Sequence, residues 1–308
     1  QRSLDFLEEH QLLQNNSTGS RLISGNFKIH EAIEVQITQF HQVEAAVLFN
    51  SGYDANVGFF SSIPQRGDVV FYDELIHASI RDGLQMGLAK SYKFKHNDLE
   101  DLKTKVEKLT TSGEVYVVTE SIFSMDGDHP DLPALVKFCN EKNIFLVVDE
   151  AHALGVFGER GEGLLQHLNL HHKVFARIVT FGKGLGAHGA AILGSETLKE
   201  FIINFTRSFI YTTAIAPHSV ATISSAYQEL VHTSAIKKLQ QNITYFQQQV
   251  EDLDLKDAFI ASDSAIQSCI VPGNEQVKAI AEKLQQQHYL VKPILSPTVA
   301  KGEERLGF

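Results

Sequence analysis

Cysteine is scarce: Cys139 and Cys269 are the only two in 308 residues, too few for a disulfide framework, so a reducing, cytoplasmic home is expected. Long apolar runs are missing as well. No stretch approaches the roughly 18 residues that a membrane span needs, so no span is expected. Basic residues are in deficit, 27 Lys and Arg against 37 Asp and Glu, for a formal charge of −10. That balance argues against a general polyanion binder, and nucleic acid is not an expected partner. The chain also opens at Gln1 without an initiator Met or a signal-peptide pattern and stops at Gly307-Phe308 inside structured sequence, so it reads as trimmed at both ends. What it does have is 43% hydrophobic and 21% charged residues, enough for a substantial core in one large domain plus a smaller one, with global disorder excluded.

Apolar, β-branched runs alternate with amphipathic helical patterns. Ala45–Asn50, Asp68–Tyr72, Glu114–Thr119, Ile144–Asp149, Arg177–Phe181 and Gly189–Leu193 read as buried strands. Asn97–Leu109 reads as a helix with Leu99, Leu102, Val106 and Leu109 on one stripe and a capping box from Asn97 to Glu100. Pro133–Asn140 reads as another. This alternation predicts right-handed crossovers and a three-layer α/β/α domain around a mostly parallel sheet. After Pro217 the texture becomes helical and Gln-rich, with Gln240–Gln249 as a solvated face. A shorter alternation follows: strand Ala265–Val271, helix Glu275–Gln287, strand Leu290–Ile294. The expected division is an N-terminal helical segment at 1–16, a large domain at 17–245 and a small, truncated C-terminal α/β domain at 246–308. No internal repeat is present.

Five segments carry chemistry at strand ends. Leu146-Val147-Val148-Asp149-Glu150-Ala151-His152 delivers an acid at the carboxyl end of a strand, where open α/β sheets bind ligands, and a histidine three residues on. Its Asp-Glu-Ala-His letters fit a nucleotide-hydrolysing box only with a GxxxxGK[ST] loop, and none exists. Gly182-Lys183-Gly184-Leu185-Gly186-Ala187-His188-Gly189 contains a formal GxGxxG, but an apolar strand-like run rather than a long helix follows, and no acid stands about 20 residues on. What remains is Lys183 among glycines, a candidate Schiff-base amine if desolvated. Asn50-Ser51-Gly52-Tyr53 joins a strand to a helix start suited to a phosphate. Asp73-Glu74-Leu75-Ile76-His77 and Glu120-Ser121-Ile122-Phe123-Ser124 follow two further strands. Asp126, Asp128 and His129 form no complete ligand set, so a metal is not expected. Lys90, Lys93, Lys95, Lys103, Lys105 and Lys108 are interleaved with Asp98, Glu100, Asp101 and Glu107, and read as a salt-bridged helix face.

Taken singly, each of these segments has an ordinary structural explanation. Together they offer a phosphate nest, an aromatic ring, an acid, two imidazoles and an amine on one rim, the set that pyridoxal 5'-phosphate (PLP) needs. In that order of motifs, from Gly19-Ser20-Arg21-Leu22-Ile23-Ser24-Gly25 to Ser296-Pro297-Thr298, the chain resembles the α-oxoamine synthases, fold-type I enzymes dependent on PLP. The resemblance implies that Lys183 carries the cofactor aldehyde, Asp149 pairs with the ring nitrogen and His152 meets the phenolic oxygen. It further implies that His77 stacks on the ring and meets substrate, Ser124 contacts the cofactor, and Gly52, Tyr53 and Thr180 hold or flank its phosphate. Thr212 and Thr213 would reach the phosphate of a neighbouring subunit in a homodimer, and Thr298 would contact substrate. The runs Thr180-Phe181-Gly182-Lys183-Gly184, Ile210-Tyr211-Thr212-Thr213 and Ser264-Ala265-Ile266-Gln267 point to the family member that joins L-alanine to a pimeloyl thioester, on CoA or a carrier protein, with loss of carbon dioxide. A sister synthase using glycine or serine is the alternative within the family. The family's terminal Arg-Leu-Arg reads Arg305-Leu306-Gly307 here, which raises a third possibility, a catalytically silent PLP-binding paralogue.

Overall fold

The computed structural model of the chain describes residues 1–12 and 14–308, which form two units: Gln1–Ser121 with Pro130–Thr233, and Ile122–His129 with Ser234–Phe308. The first unit carries strands β1 (Ala45–Phe49), β2 (Val69–Asp73), β3 (Lys90–Phe94), β4 (Val115–Glu120), β5 (Phe145–Asp149), β6 (Ala176–Thr180) and β7 (Ala190–Gly194). Its helices are α1 (Arg2–Glu9), α2 (Lys28–His41), α3 (Gly52–Ser62), α4 (Ala78–Met86), α5 (Leu99–Glu107), α6 (Leu132–Glu141), α7 (Leu164–His167), α8 (Glu196–Phe205), α9 (Arg207–Ile210) and α10 (Pro217–His232).

The strands form one sheet in the order β1-β7-β6-β5-β4-β2-β3, parallel from β6 through β3, with β7 antiparallel to both its neighbours. Every residue of β1 and β6 is buried, as strands covered on both faces must be. Val47, Val118, Val147, Ile178 and Ile192 from the sheet pack with Phe59 and Phe60 of α3 and Ile80 of α4. The six expected strands thus form within a residue or two of their predicted bounds, and the α/β class holds.

Two local readings change. Lys90–Phe94 is an edge strand rather than part of a helix face, and its first four residues are exposed, the usual place for lysines that keep a sheet edge solvated. Among the described residues Lys103 and Lys105 make helical pairs, with Glu100 and Asp101. The cap of α5 is Asp98, whose side chain accepts from the Asp101 N–H, while Asn97 takes a left-handed φ of 51° before it.

The second unit holds β8 (Ser268–Ile270), β9 (Lys292–Ile294) and β10 (Arg305–Gly307) in the antiparallel order β8-β10-β9, with α11 (Ala235–Asp252) and α12 (Asn274–Gln286). Val271, Val277, Ala281, Val291 and Leu306 form its core. The division expected at 245/246 falls inside α11, because the Gln-rich shift marks a solvated helix face and not a break in the chain; Ile243 is the one buried residue of that helix. β8 is shorter than Ala265–Val271 because the Ser264 hydroxyl accepts the Ile266 N–H and turns the backbone before the ladder begins. Within this unit Arg305 is buried and bonded to Asp126, so the remaining arginine of the departed motif is engaged in an internal ion pair.

Candidate active site

β1, β2, β4, β5 and β6 run in one direction, and the residues that leave their carboxyl ends converge on a cavity of about 230 Å³ in the first unit. Gly52, Tyr53, His77, Asp149, His152, Thr180 and Lys183, read from separate segments of sequence, all line it.

Asp149 ends β5 with 4% of its surface exposed. Its Oδ2 accepts from Asn56 Nδ2 at 2.8 Å and its Oδ1 from the Ala151 N–H at 2.9 Å, so both oxygens receive N–H donors. The same Asn56 Nδ2 also donates to Ser79 Oγ at 3.1 Å. Ser79 in turn serves His77, the N-cap of α4, whose Nδ1 accepts the Ser79 N–H at 3.2 Å and lies 2.7 Å from Ser79 Oγ. With Nδ1 accepting, the neutral ring carries its proton on Nε2. A short chain of hydrogen bonds therefore links the acid to this imidazole.

His152 lies in the turn after β5. Burial first, then the Lys183 and His77 charges, pushes its pKa down to about 3, so it is a neutral imidazole at ordinary pH. The turn is held from behind by Glu150, fully buried, whose Oε2 accepts from Arg177 Nε at 2.7 Å and whose Oε1 accepts the Leu165 N–H at 2.9 Å. The second acid of Asp149-Glu150 is thus a structural anchor. Lys183 follows β6, exposed to the cavity. The burial that would desolvate its amine, the condition attached to it from sequence, is not found, since the residue is exposed. Gly184 is required on steric grounds: a Cβ there would stand 2.1 Å from the Leu154 carbonyl oxygen.

At the other end of the cavity Ser51 caps α3, its Oγ accepting the Asp54 N–H at 3.1 Å, and the following N–H groups of the first turn have no intrahelical acceptor. Tyr53 donates its hydroxyl to Asp82 at 2.7 Å. Thr180 Oγ1 is buried without a hydrogen-bond partner among the described residues, as is Asn56 Oδ1, so two polar atoms of the lining are free to bond a cofactor. A Cβ on Gly52 would stand 2.5 Å from Thr180 Cγ2, so the bare glycine keeps this floor open. Backbone donors with an orphan hydroxyl, an imidazole, a carboxylate and an amine fit PLP's phosphate, phenol, ring nitrogen and aldehyde.

Thr212 and Thr213 lie outside this cavity; Asn50 Nδ2 donates to Thr212 Oγ1 at 3.0 Å and to the Thr213 carbonyl at 2.9 Å. Ser124 and Thr298 belong to the second unit. Sequence reading missed Asn56, Ser79, Glu120 and His188, which line the cavity as well. A polar Asn directly before the apolar run Val57–Ile63, and a Ser two residues after His77, were the available signals.

The family model for aminotransferase class I and II matches residues 5–308. An 8-amino-7-oxononanoate synthase of Emericella nidulans is 40% identical, spanning 99% of this chain and 79% of that protein. Among solved structures, serine palmitoyltransferase from S. paucimobilis with bound PLP and myriocin superposes with a TM-score of 0.92 at 26% identity, covering 99% of this chain and 76% of that one. The 8-amino-7-oxononanoate synthase of Francisella tularensis does so with 0.82 at 27%, covering 100% and 85%. Match over nearly the whole chain, joined to a cavity whose donors suit the cofactor, makes this chain a member of the aminotransferase class I and II family and a PLP-dependent enzyme.

Proposed function

We propose that this chain is an acyltransferase of the 8-amino-7-oxononanoate synthase type. It joins L-alanine to a pimeloyl thioester, releasing thiol and carbon dioxide and leaving an amino ketone, a step of biotin biosynthesis. The observation that carries this reading is the convergence of Lys183, Asp149, His152 and His77 from three strand ends on one cavity.

PLP, when bound, supplies an aldehyde for an amine and a cationic ring that draws off the electron pair left at the substrate Cα. Lys183 Nζ is the amine that tethers it and, once displaced, the base that takes the Cα proton. Asp149 holds the proton on the ring nitrogen through a charge-assisted bond that contributes roughly 1.5–3 kcal/mol net. His152, neutral, meets the phenolic oxygen, and His77 covers the ring face and meets substrate. The first N–H groups of α3, at Gly52 and Tyr53, receive the phosphate together with the Thr180 hydroxyl. Ser124 is assigned to the cofactor and Thr298 to the substrate. Thr212 and Thr213, outside this chain's own cavity, serve a neighbouring subunit's phosphate in a homodimer. Free thiols at Cys139 and Cys269 support a reducing, cytoplasmic compartment.

The high structural similarity to serine palmitoyltransferase favours a sister synthase using serine or glycine as the second reading. Thiol release from the PLP-loaded protein decides. Release with alanine and pimeloyl-CoA is expected; release only with serine or glycine supports the sister, and none with any pair supports a silent paralogue. Lys183→Ala is expected to abolish the visible absorbance that appears on adding PLP, and an unchanged spectrum would mean that another amine holds the cofactor. Sedimentation of the loaded protein as a monomer would remove the homodimer.

A further inference from the structure

One buried acid of the cavity has no part in this scheme. Glu120 ends β4, stands in register with Asp149 across the β4–β5 ladder, and exposes 3% of its surface. Its Oε1 accepts the backbone N–H of His77 at 2.6 Å. We propose that Glu120 is a positioning residue, setting the His77 imidazole against the cofactor through the His77 backbone N–H; this rests on reading the cavity as the PLP site.

His77 is the N-cap of α4, so its own N–H has no acceptor inside the helix and needs one from outside it. Glu120 supplies the acceptor, and Ser79 holds Nδ1. Backbone and ring are thereby gripped from two sides, and the direction in which the imidazole leaves the chain is set before any ligand arrives. The state of Glu120 suits the task. Burial, and next the Asp149 charge, push its pKa well above the usual carboxyl range, and Asp73 adds in the same direction; the His77 N–H and Lys183 oppose. Burial and the Asp149 charge thus favour the protonated carboxyl of Glu120, and a protonated carboxyl still offers its carbonyl oxygen to the His77 N–H.

The test uses purified protein stripped of cofactor and reloaded with PLP, as wild type, Glu120→Ala, Glu120→Gln, His77→Ala and the Glu120→Ala/His77→Ala pair. Affinity is read by absorbance titration, and ring asymmetry by the visible circular dichroism of bound PLP. Glu120→Ala should weaken PLP about tenfold and reduce the dichroic band as His77→Ala does. The double variant should be no worse than His77→Ala, because the effect runs through that residue. Glu120→Gln, a neutral isostere whose amide oxygen accepts the same N–H, should keep the band. Wild-type affinity and dichroism in Glu120→Ala, losses that add in the double variant, or a Glu120→Gln protein that behaves like Glu120→Ala would each overturn the assignment. A wild-type protein that takes up no PLP removes the cofactor reading and the inference with it, whereas wild-type uptake with an indifferent Glu120→Ala removes the inference alone.

Discussion

At the scale of single residues, the acid at the end of β5 and the glycine that opens α3 bear different loads. If Asp149 has the proposed role of keeping the ring nitrogen protonated, Asp149→Ala should still bind PLP weakly but lose turnover by about a hundredfold or more; near-normal turnover with alanine would refute that role. Gly52→Ala places a methyl 2.5 Å from Thr180 Cγ2, and the clash should weaken PLP binding by about tenfold, measured by the same absorbance titration. These residues were legible because their chemistry is unusual for where they stand: an acid closing an apolar strand, a lysine among glycines. Asn56, Ser79 and Glu120 were harder to find. An Asn in an apolar helix, a Ser beside a cap and an acid opening a turn are each common on their own, and only the folded register of β4 with β5, and of α3 with α4, shows that they serve Asp149 and His77.

At the scale of elements, the turn after β5 depends on a buried ion pair between β5 and β6. Glu150 and Arg177 are both essentially inaccessible, with Arg177 Nη2 also donating to the Glu162 carbonyl at 3.0 Å. Removing one member leaves an uncompensated buried charge, so Glu150→Ala should cost about 3–5 kcal/mol in urea unfolding of the apoprotein, and Glu150→Leu/Arg177→Met should recover most of it. A single variant as stable as wild type would show that water reaches the pair. Buried strands were the most legible elements, since continuous β-branched runs between turn signals have few other solutions. β3 was not, because an edge strand carries the charges of a solvated helix face and lacks the apolar run. β10 escaped notice for the opposite reason: three residues between two antiparallel partners need no pattern of their own.

At the scale of the whole molecule, stability and pH are linked through buried imidazoles. His152 titrates near 3 when folded, and burial, reinforced by Arg177 and Arg160, lowers His41 far below the ordinary histidine value of 6.5. Below pH 6.5 the unfolded chain binds protons that the folded chain refuses, so stability falls as pH falls, by up to about 1.4 kcal/mol per unit for each group. Glu120 acts in the opposite sense: its folded carboxyl keeps a proton that the unfolded chain releases above about 4.5, so that contribution is lost as pH rises. The apoprotein should therefore lose less stability between pH 6.5 and 5 as His152→Gln than as wild type, by about 1.5 kcal/mol in urea unfolding. Equal losses would mean that the imidazole takes its proton in place.

The position of β7 bears on how the chain is made. β1 is the first strand to leave the ribosome, yet its hydrogen-bonding neighbour is Ala190–Gly194, which is synthesised after every other strand of that sheet. Until then Ala45–Phe49 is a fully apolar ribbon with unsatisfied amides and no partner, a segment prone to join another nascent copy. Closing the sheet is thus a late, long-range event, and the helices that flank β1 must shelter it during translation or a chaperone must do so in their place.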